Sequence, residues 1–237
     1  MIFQSDIHLN DTVQSNAAQY NQDCLGVVLA GGLSSRMGLD KAQLPRNNAT
    51  MLDFSKQLLI STGIKHVVTS GDKHGVNDLV SNAGPLGGIY SVIRQYKPKA
   101  IMVLPVDLPL MTSQAISQLK QTGELSKKAC YFQAQQQIHF LPLYLPITGF
   151  VELFLNKTFK NFSETKAAKG PAIRALLKQV PFQVLQSQQE QVLFNSNTPE
   201  QWQQAQTFFK QSKTNKKPLN KLSANSNFSS SNRSSHV

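Results

Sequence analysis

Apolar and polar positions along the chain switch repeatedly between a strand-like and a helix-like pattern. Residues 24–30, CLGVVLA, form a short apolar run that stops at Gly31-Gly32. A run of that length, closed by glycines, predicts a buried strand. Residues 50–61 place Leu52, Phe54, Leu58 and Leu59 near helical spacing, with Thr50 as N-cap. KHVVTS at 65–70 predicts a second strand, 85–96 a helix with Pro85 in its first turn, and AIMVLPV at 100–106 a third strand. Thr112 caps a helix over 112–121. ACYFQ at 129–133 and LPLYLP at 141–146 read as further strands, separated by the polar QAQQQIH. Helices around 149–156 and 171–179, a strand at 182–186 and a last helix from about 198 follow. Thr198, Pro199 and Glu200 give that last helix a cap, a proline at its first position and an acid in its first turn.

Strands alternating with helices imply parallel pairing and an α/β layer fold with helices on both faces. One domain over 24–209 is expected, with 1–23 as a flexible extension. Residues 210–237 are rich in Ser, Asn and Lys and nearly free of apolar side chains. They bury too little to offset ordering entropy and read as a disordered tail.

Composition narrows the class. Hydrophobic residues make up 40% of the 237, enough for a substantial core and too many for a disordered chain. Two cysteines, Cys24 and Cys130, exclude a disulfide scaffold, and each falls in a strand pattern where a buried, inert thiol is expected. The five histidines show no zinc-ligand spacing. No apolar run reaches the roughly 18–20 residues of a membrane span, and the first residues do not read as a secretory signal. A cytoplasmic location and no membrane partner are the expectation.

Residues 1–23 hold only acids among their charges and 210–237 only bases, yet the segment between keeps +8 of the net +11. A basic body favours anionic partners: nucleotides, phosphorylated metabolites, nucleic acid or an acidic protein.

The densest chemistry follows the first strand, in LAGGLSSRMGLDK (29–41). Open α/β sheets bind ligands at the carboxyl ends of their strands. Gly31 and Gly32 there let backbone N–H groups approach a phosphate without a Cβ in the way. Arg36 adds a planar fork for phosphate oxygens, and Lys41 a mobile point charge. The spacing is neither a P-loop nor GxGxxG. Read singly, these residues describe a turn and a solvated face; read together, they describe a polyphosphate site.

This loop resembles the signature of the molybdenum cofactor guanylyltransferase family, within the Rossmann-like nucleotidyltransferases. Three further segments resemble the same family in the same order: GPLGG at 84–88, PVDLP at 105–109 and NSNTPE at 195–200. The resemblance covers about residues 24–208. It implies a three-layer α/β/α fold of the nucleotide-diphospho-sugar transferase type, with a mostly parallel sheet. It also implies transfer of GMP from GTP to the phosphate of molybdopterin-bound molybdenum cofactor, with release of pyrophosphate. Molybdoenzyme apoproteins or delivery chaperones are the further partners it suggests, and a monomer is expected.

The resemblance assigns Leu29, Ala30, Gly31, Gly32, Lys41, Ser70, Asp78 and Asp107 to the nucleotide, with Arg36, Lys41 and Asp107 as the catalytic set. Asp107 ends an apolar strand, where a lone carboxylate suits Mg²⁺, an ion usually bound by one or two carboxylates plus phosphate oxygens and waters. Read alone, Asp107 can also cap the following helix. Gly84, Pro85, Leu86 and Gly87 read either as a tight helix entry or as a site wall for the second substrate. Asn195 and Asn197 read first as part of a helix start and second as pterin contacts.

Ser70 stands where the family often has Asn, and Asp72 is a carboxylate able to accept from guanine N1–H and N2–H in its place. His139 reads as packing or as a pterin contact. Lys166, Lys169 and Arg174 read as a solvated face or as an anchor for an anionic second substrate. Trp202, Phe208 and Phe209 read as core.

A cytidylyltransferase or sugar-nucleotide enzyme of the same fold is the nearest rival reading. A basic nucleic-acid-binding protein is the rival from another class, although the chain shows no recognisable nucleic-acid module. A relative that binds nucleotide without turnover is a third; the presence of Arg36, Lys41 and Asp107 argues against it.

Overall fold

The computed structural model describes residues 24–31, 40–71, 75–165 and 170–214. The expected extension at 1–23 and most of the expected tail lie outside them, as do Gly32, Arg36, Asp72, Lys166 and Lys169.

The strands are β1 (Cys24–Leu29), β2 (Pro45–Arg46), β3 (Ala49–Thr50), β4 (Val67–Ser70), β5 (Ala100–Pro105), β6 (Ala129–Ala134), β7 (Gln137–Pro146) and β8 (Phe182–Gln186). The helices are α1 (Met51–Ser61), α2 (Gly84–Tyr96), α3 (Ser113–Ser126), α4 (Gly149–Thr165), α5 (Ile173–Leu177) and α6 (Pro199–Thr214). Short 3-10 turns at Lys41–Gln43 and Glu190–Leu193 link them. Six strands form one sheet in the order β4-β1-β5-β7-β6-β8.

Local chemistry accounts for most helix starts. Thr50 and Asp53 form a reciprocal capping box, Thr50 Oγ1 accepting from Asp53 N at 3.1 Å. Thr112 Oγ1 accepts from Ala115 N at 3.3 Å. At α6, Thr198 Oγ1 accepts from Gln201 N, while Gln201 Oε1 accepts from the backbone N–H groups of both Asn197 and Thr198.

Alternation within the strands builds two cores. Leu25, Val27, Ile101, Val103, Leu143 and Leu145 face α2, α4 and α5. Val28, Met102, Leu104 and Phe132 face α1, α3 and α6, where Trp202 and Phe209 are buried. The layers are therefore α/β/α, as the resemblance implies.

Parallel pairing holds for β1 with β4, β1 with β5, and β6 with β8. It fails at β7, which runs antiparallel to both β5 and β6. The polar QAQQQIH is not a separator: β7 starts at Gln137, and the connection is the pair Gln135-Gln136, both at positive φ. Two left-handed residues in a row give the twist that a tight hairpin needs. α4 also runs past the expected 156 to Thr165, because Phe159 and Phe162 continue its apolar stripe onto Tyr90.

Candidate active site

The sheet's carboxyl edge is assembled by backbone hydrogen bonds. Ala30 N donates to Ser70 O at 2.9 Å, and Val106 N donates to Leu29 O at 3.1 Å. These bonds set the ends of β4, β1 and β5 level, with Leu29, Ala30 and Gly31 in the middle. Gly71 (φ 138) presses onto the same turn: a Cβ on it would stand 2.7 Å from Gly31 N. Only a glycine allows that approach in that conformation.

Lys41 returns to this edge on the first 3-10 turn, which Asp40 caps by accepting from Ala42 N at 3.0 Å. Its Nζ lies 3.6 Å from Asp107 Oδ2 and donates to Asn197 Oδ1 at 2.6 Å. Asp107 is fixed from behind, since its carbonyl accepts from Ser196 N at 2.9 Å and from Ser196 Oγ at 3.3 Å. Burial pushes the Asp107 carboxyl above the usual carboxylate range, and Lys41 draws it back only in part. Three segments far apart in sequence thus meet at one ammonium group.

Asp107 also lines a cleft of about 860 Å³. Ile138, Phe140 and Leu141 of β7 and Ile173 of α5 form its apolar wall, with Pro85 from α2. His139 and Asn195 add polar groups, and burial holds the His139 imidazolium below its ordinary pKa. Arg174 and Lys178 bring two cations from the α5 segment. A lining that combines an apolar wall with two cations and a carboxylate suits a ligand with an apolar body and an anionic group.

The expected second-substrate residues separate. Pro85 and Asn195 line the cleft, and Gly84 (φ 67) makes the turn into α2. Leu86 is fully buried and Gly87 packs on Ala83, so both belong to helix packing and not to the wall. Asn197 turns its amide oxygen to Lys41. The Ser70 side chain is buried against α2, where a Cβ on Gly88 would lie 2.2 Å from its Oγ. Asp78 is half-buried on the β4 side of the edge, two residues beyond Val76, which pairs with Ser70.

Sequence reasoning missed Lys178 and Arg46. Lys178 stands one helical turn after Arg174, a spacing that marks a shared face. Arg46 has no local signal.

A lysine held between a carboxylate and an amide at the strand ends, beside an open cleft, is the layout of a group-transfer enzyme acting on a nucleotide. Residues 26–179 match the family model described as the MobA-like NTP transferase domain. The chain belongs to that family. It is 36% identical over 183 residues to a molybdenum cofactor guanylyltransferase from Xanthomonas euvesicatoria pv. vesicatoria (strain 85-10), covering 75% of this chain and 91% of that one. It is 27% identical over 186 residues to the molybdenum cofactor guanylyltransferase of Campylobacter jejuni subsp. jejuni serotype O:6, covering 75% and 92%. The fold is similar to that of molybdopterin-guanine dinucleotide biosynthesis protein A from Archaeoglobus fulgidus, with a TM-score of 0.62 over 79% of this chain and 99% of that one. Sequence identity there is 16%, so this likeness shows the fold alone.

Proposed function

We propose that the chain transfers GMP from GTP to the terminal phosphate of molybdopterin-bound molybdenum cofactor, giving the guanine dinucleotide cofactor and pyrophosphate. One observation carries the reading: Asp107 belongs both to the Lys41 pair at the nucleotide edge and to the wall of the adjoining cleft. A nucleotide laid along the edge would present its α-phosphate where the cleft ends.

The pterin phosphate is already an anionic nucleophile, with a second pKa near 6. Its oxygen forms a bond to the α-phosphorus. The bond from that phosphorus to the bridging oxygen breaks, and the electron pair leaves with pyrophosphate. No general base is required. Lys41, held by Asn197 and Asp107, stabilises charge on the leaving phosphates, and Arg36 shares that role. Arg174 and Lys178 hold the anionic end of the pterin substrate, and the β7 wall packs its ring system.

The residues fit a divalent cation. Asp107 is a lone carboxylate just past the end of β5, on the wall of the cleft, and Mg²⁺ usually takes one or two carboxylates with phosphate oxygens and waters. Mg²⁺ bound there would neutralise charge on the α- and β-phosphate oxygens. Cytoplasmic synthesis, in contact with recipient apoenzymes or their chaperones, belongs to the same proposal. Among the described residues no helix is long and apolar enough to cross a membrane.

The test is thermal unfolding with Mg²⁺ and GTP, CTP, ATP or UTP in turn. A nucleotide at about 100 times its dissociation constant should stabilise by roughly 2.7 kcal/mol. A shift with GTP alone supports the proposal. A shift with CTP alone keeps the mechanism and overturns the product. No shift with any of them removes the nucleotide reading.

A further inference from the structure

The ammonium of Lys41, the carboxylate of Asp107 and the amide of Asn197 come from three segments, and something must keep those segments in register. Arg46 belongs to the first of them and touches the other two at second points. It follows Lys41 on the short β2–β3 hairpin. Its Nε donates to Pro109 O at 3.0 Å, two residues beyond Asp107. Its guanidinium lies 3.7 Å from the ring centroid of Phe209, on the helix whose start carries Asn197, and 4.6 Å from that of Phe54 in the first turn of α1.

We propose that Arg46 is a positioning residue that sets the Lys41–Asp107–Asn197 geometry from outside the site. A guanidinium can do this where other side chains cannot, because its flat faces stack on two rings while its edge still donates in plane. The remote contact has leverage. Phe209 lies ten positions along α6 from Pro199, about 15 Å at 1.5 Å per helical residue, and Asn197 stands two residues before that start. A small swing of α6 at Phe209 therefore moves Asn197 relative to Lys41. The bond to Pro109 does the same for the turn that carries Asp107, which Ser196 grips from the α6 side. The proposal rests on the guanylyltransferase reading only for its kinetic consequence; the mechanical coupling stands apart from it.

The test compares Arg46→Met, Arg46→Lys and Ile116→Val with the unsubstituted full chain. Met keeps apolar packing between the rings and cannot donate to Pro109. Lys keeps a charge and a donor. Ile116→Val trims the same core from α3, away from the site. Hydrogen exchange is read by peptide over 195–198, where Ser196 N bonds to Asp107 O and Asn197 N and Thr198 N bond to Gln201. Arg46→Met should speed exchange there about tenfold relative to β6, while Ile116→Val leaves that ratio unchanged and Arg46→Lys, which keeps a donor but no flat faces, restores only part of it. In turnover with GTP, Arg46→Met should lower kcat about tenfold with KM for GTP within twofold. A folded Arg46→Met protein with the wild-type exchange ratio overturns the proposal, as does wild-type kcat in an enzyme otherwise active on GTP. An unsubstituted chain inactive on GTP sinks the functional reading instead, and the exchange measurement still decides the role of Arg46.

Discussion

Lys41 and Asn197, separated by 156 positions in the chain, meet through a 2.6 Å hydrogen bond from Nζ to Oδ1. The bond gives Asn197 a role other than contact with the second substrate: it aims the ammonium group. Asp107 attracts the same nitrogen from 3.6 Å, so Lys41 is held from two sides.

Removing the ammonium should cost more than removing its guide. Lys41→Ala is expected to lower kcat by roughly 10²–10³, the usual loss when a preorganised charge is removed. Asn197→Ala should cost about tenfold, because Asp107 still attracts Nζ. Pyrophosphate release at saturating GTP checks both. An Asn197→Ala enzyme with unchanged kcat would show that the amide does not aim Lys41 for catalysis.

Asp107 should weaken the fold at the pH where the enzyme works. Its carboxyl is pushed up by burial more than Lys41 draws it down. An acid with a raised native pKa binds its proton more tightly folded than unfolded. Its contribution to stability is complete below the unfolded value, near 3.9. That contribution is lost as pH rises through the raised native value. Asp107→Asn should therefore raise Tm at pH 7, with the gain shrinking as pH falls through the raised native value and gone below about 3.9. The same variant should lose at least about 10²-fold in kcat. A variant less stable than wild type at pH 7 would show that the attraction of Lys41 outweighs burial.

What could be read from the sequence follows the range of each interaction. The caps at Thr50, Thr112 and Thr198 are settled within four residues, so they were legible. Apolar runs marked β1, β4 and β5, whose carboxyl ends the structure brings level. The β6–β7 hairpin was not legible, because Gln135 and Gln136 take left-handed conformations that turns usually reserve for Gly or Asn. The Ser70 departure was visible, but its burial against Gly88 depends on how α2 packs on β4. Arg46 looked like any surface cation. Its partners Pro109, Phe54 and Phe209 are brought together only by the finished sheet.

The cations of the α5 segment should govern the second substrate and not the nucleotide. Arg174 and Lys178 line the cleft, whereas Lys41 stands at the strand ends. Arg174→Ala and Lys178→Ala should each raise KM for the pterin substrate about tenfold, equivalent to about 1.4 kcal/mol. KM for GTP should stay within twofold. Because both side chains are exposed, the effect should shrink as ionic strength rises. Equal losses for both substrates would place these cations on the nucleotide instead.

Gly170 should couple stability to that same cleft. A Cβ there would lie 2.0 Å from Ala83 O, a backbone atom that cannot rotate away. Ala83 precedes the turn that carries Pro85, and Gly170 precedes Ala172 and Ile173, so the contact joins two walls of the cleft behind its lining. Gly170→Ala forces the two segments apart. Overpacking of this kind typically costs about 1–3 kcal/mol. At about 2–4 °C per kcal/mol for a chain of this size, Tm should fall by about 2–12 °C. The displacement moves α5 relative to α2 and leaves β1, Lys41 and Asp107 in place. The variant should therefore keep its thermal shift with GTP while KM for the pterin substrate rises severalfold. A fall in Tm with unchanged kinetics would confine Gly170 to packing; an unchanged Tm would mean that the segment before α5 yields freely and that the contact with Ala83 does not hold the cleft.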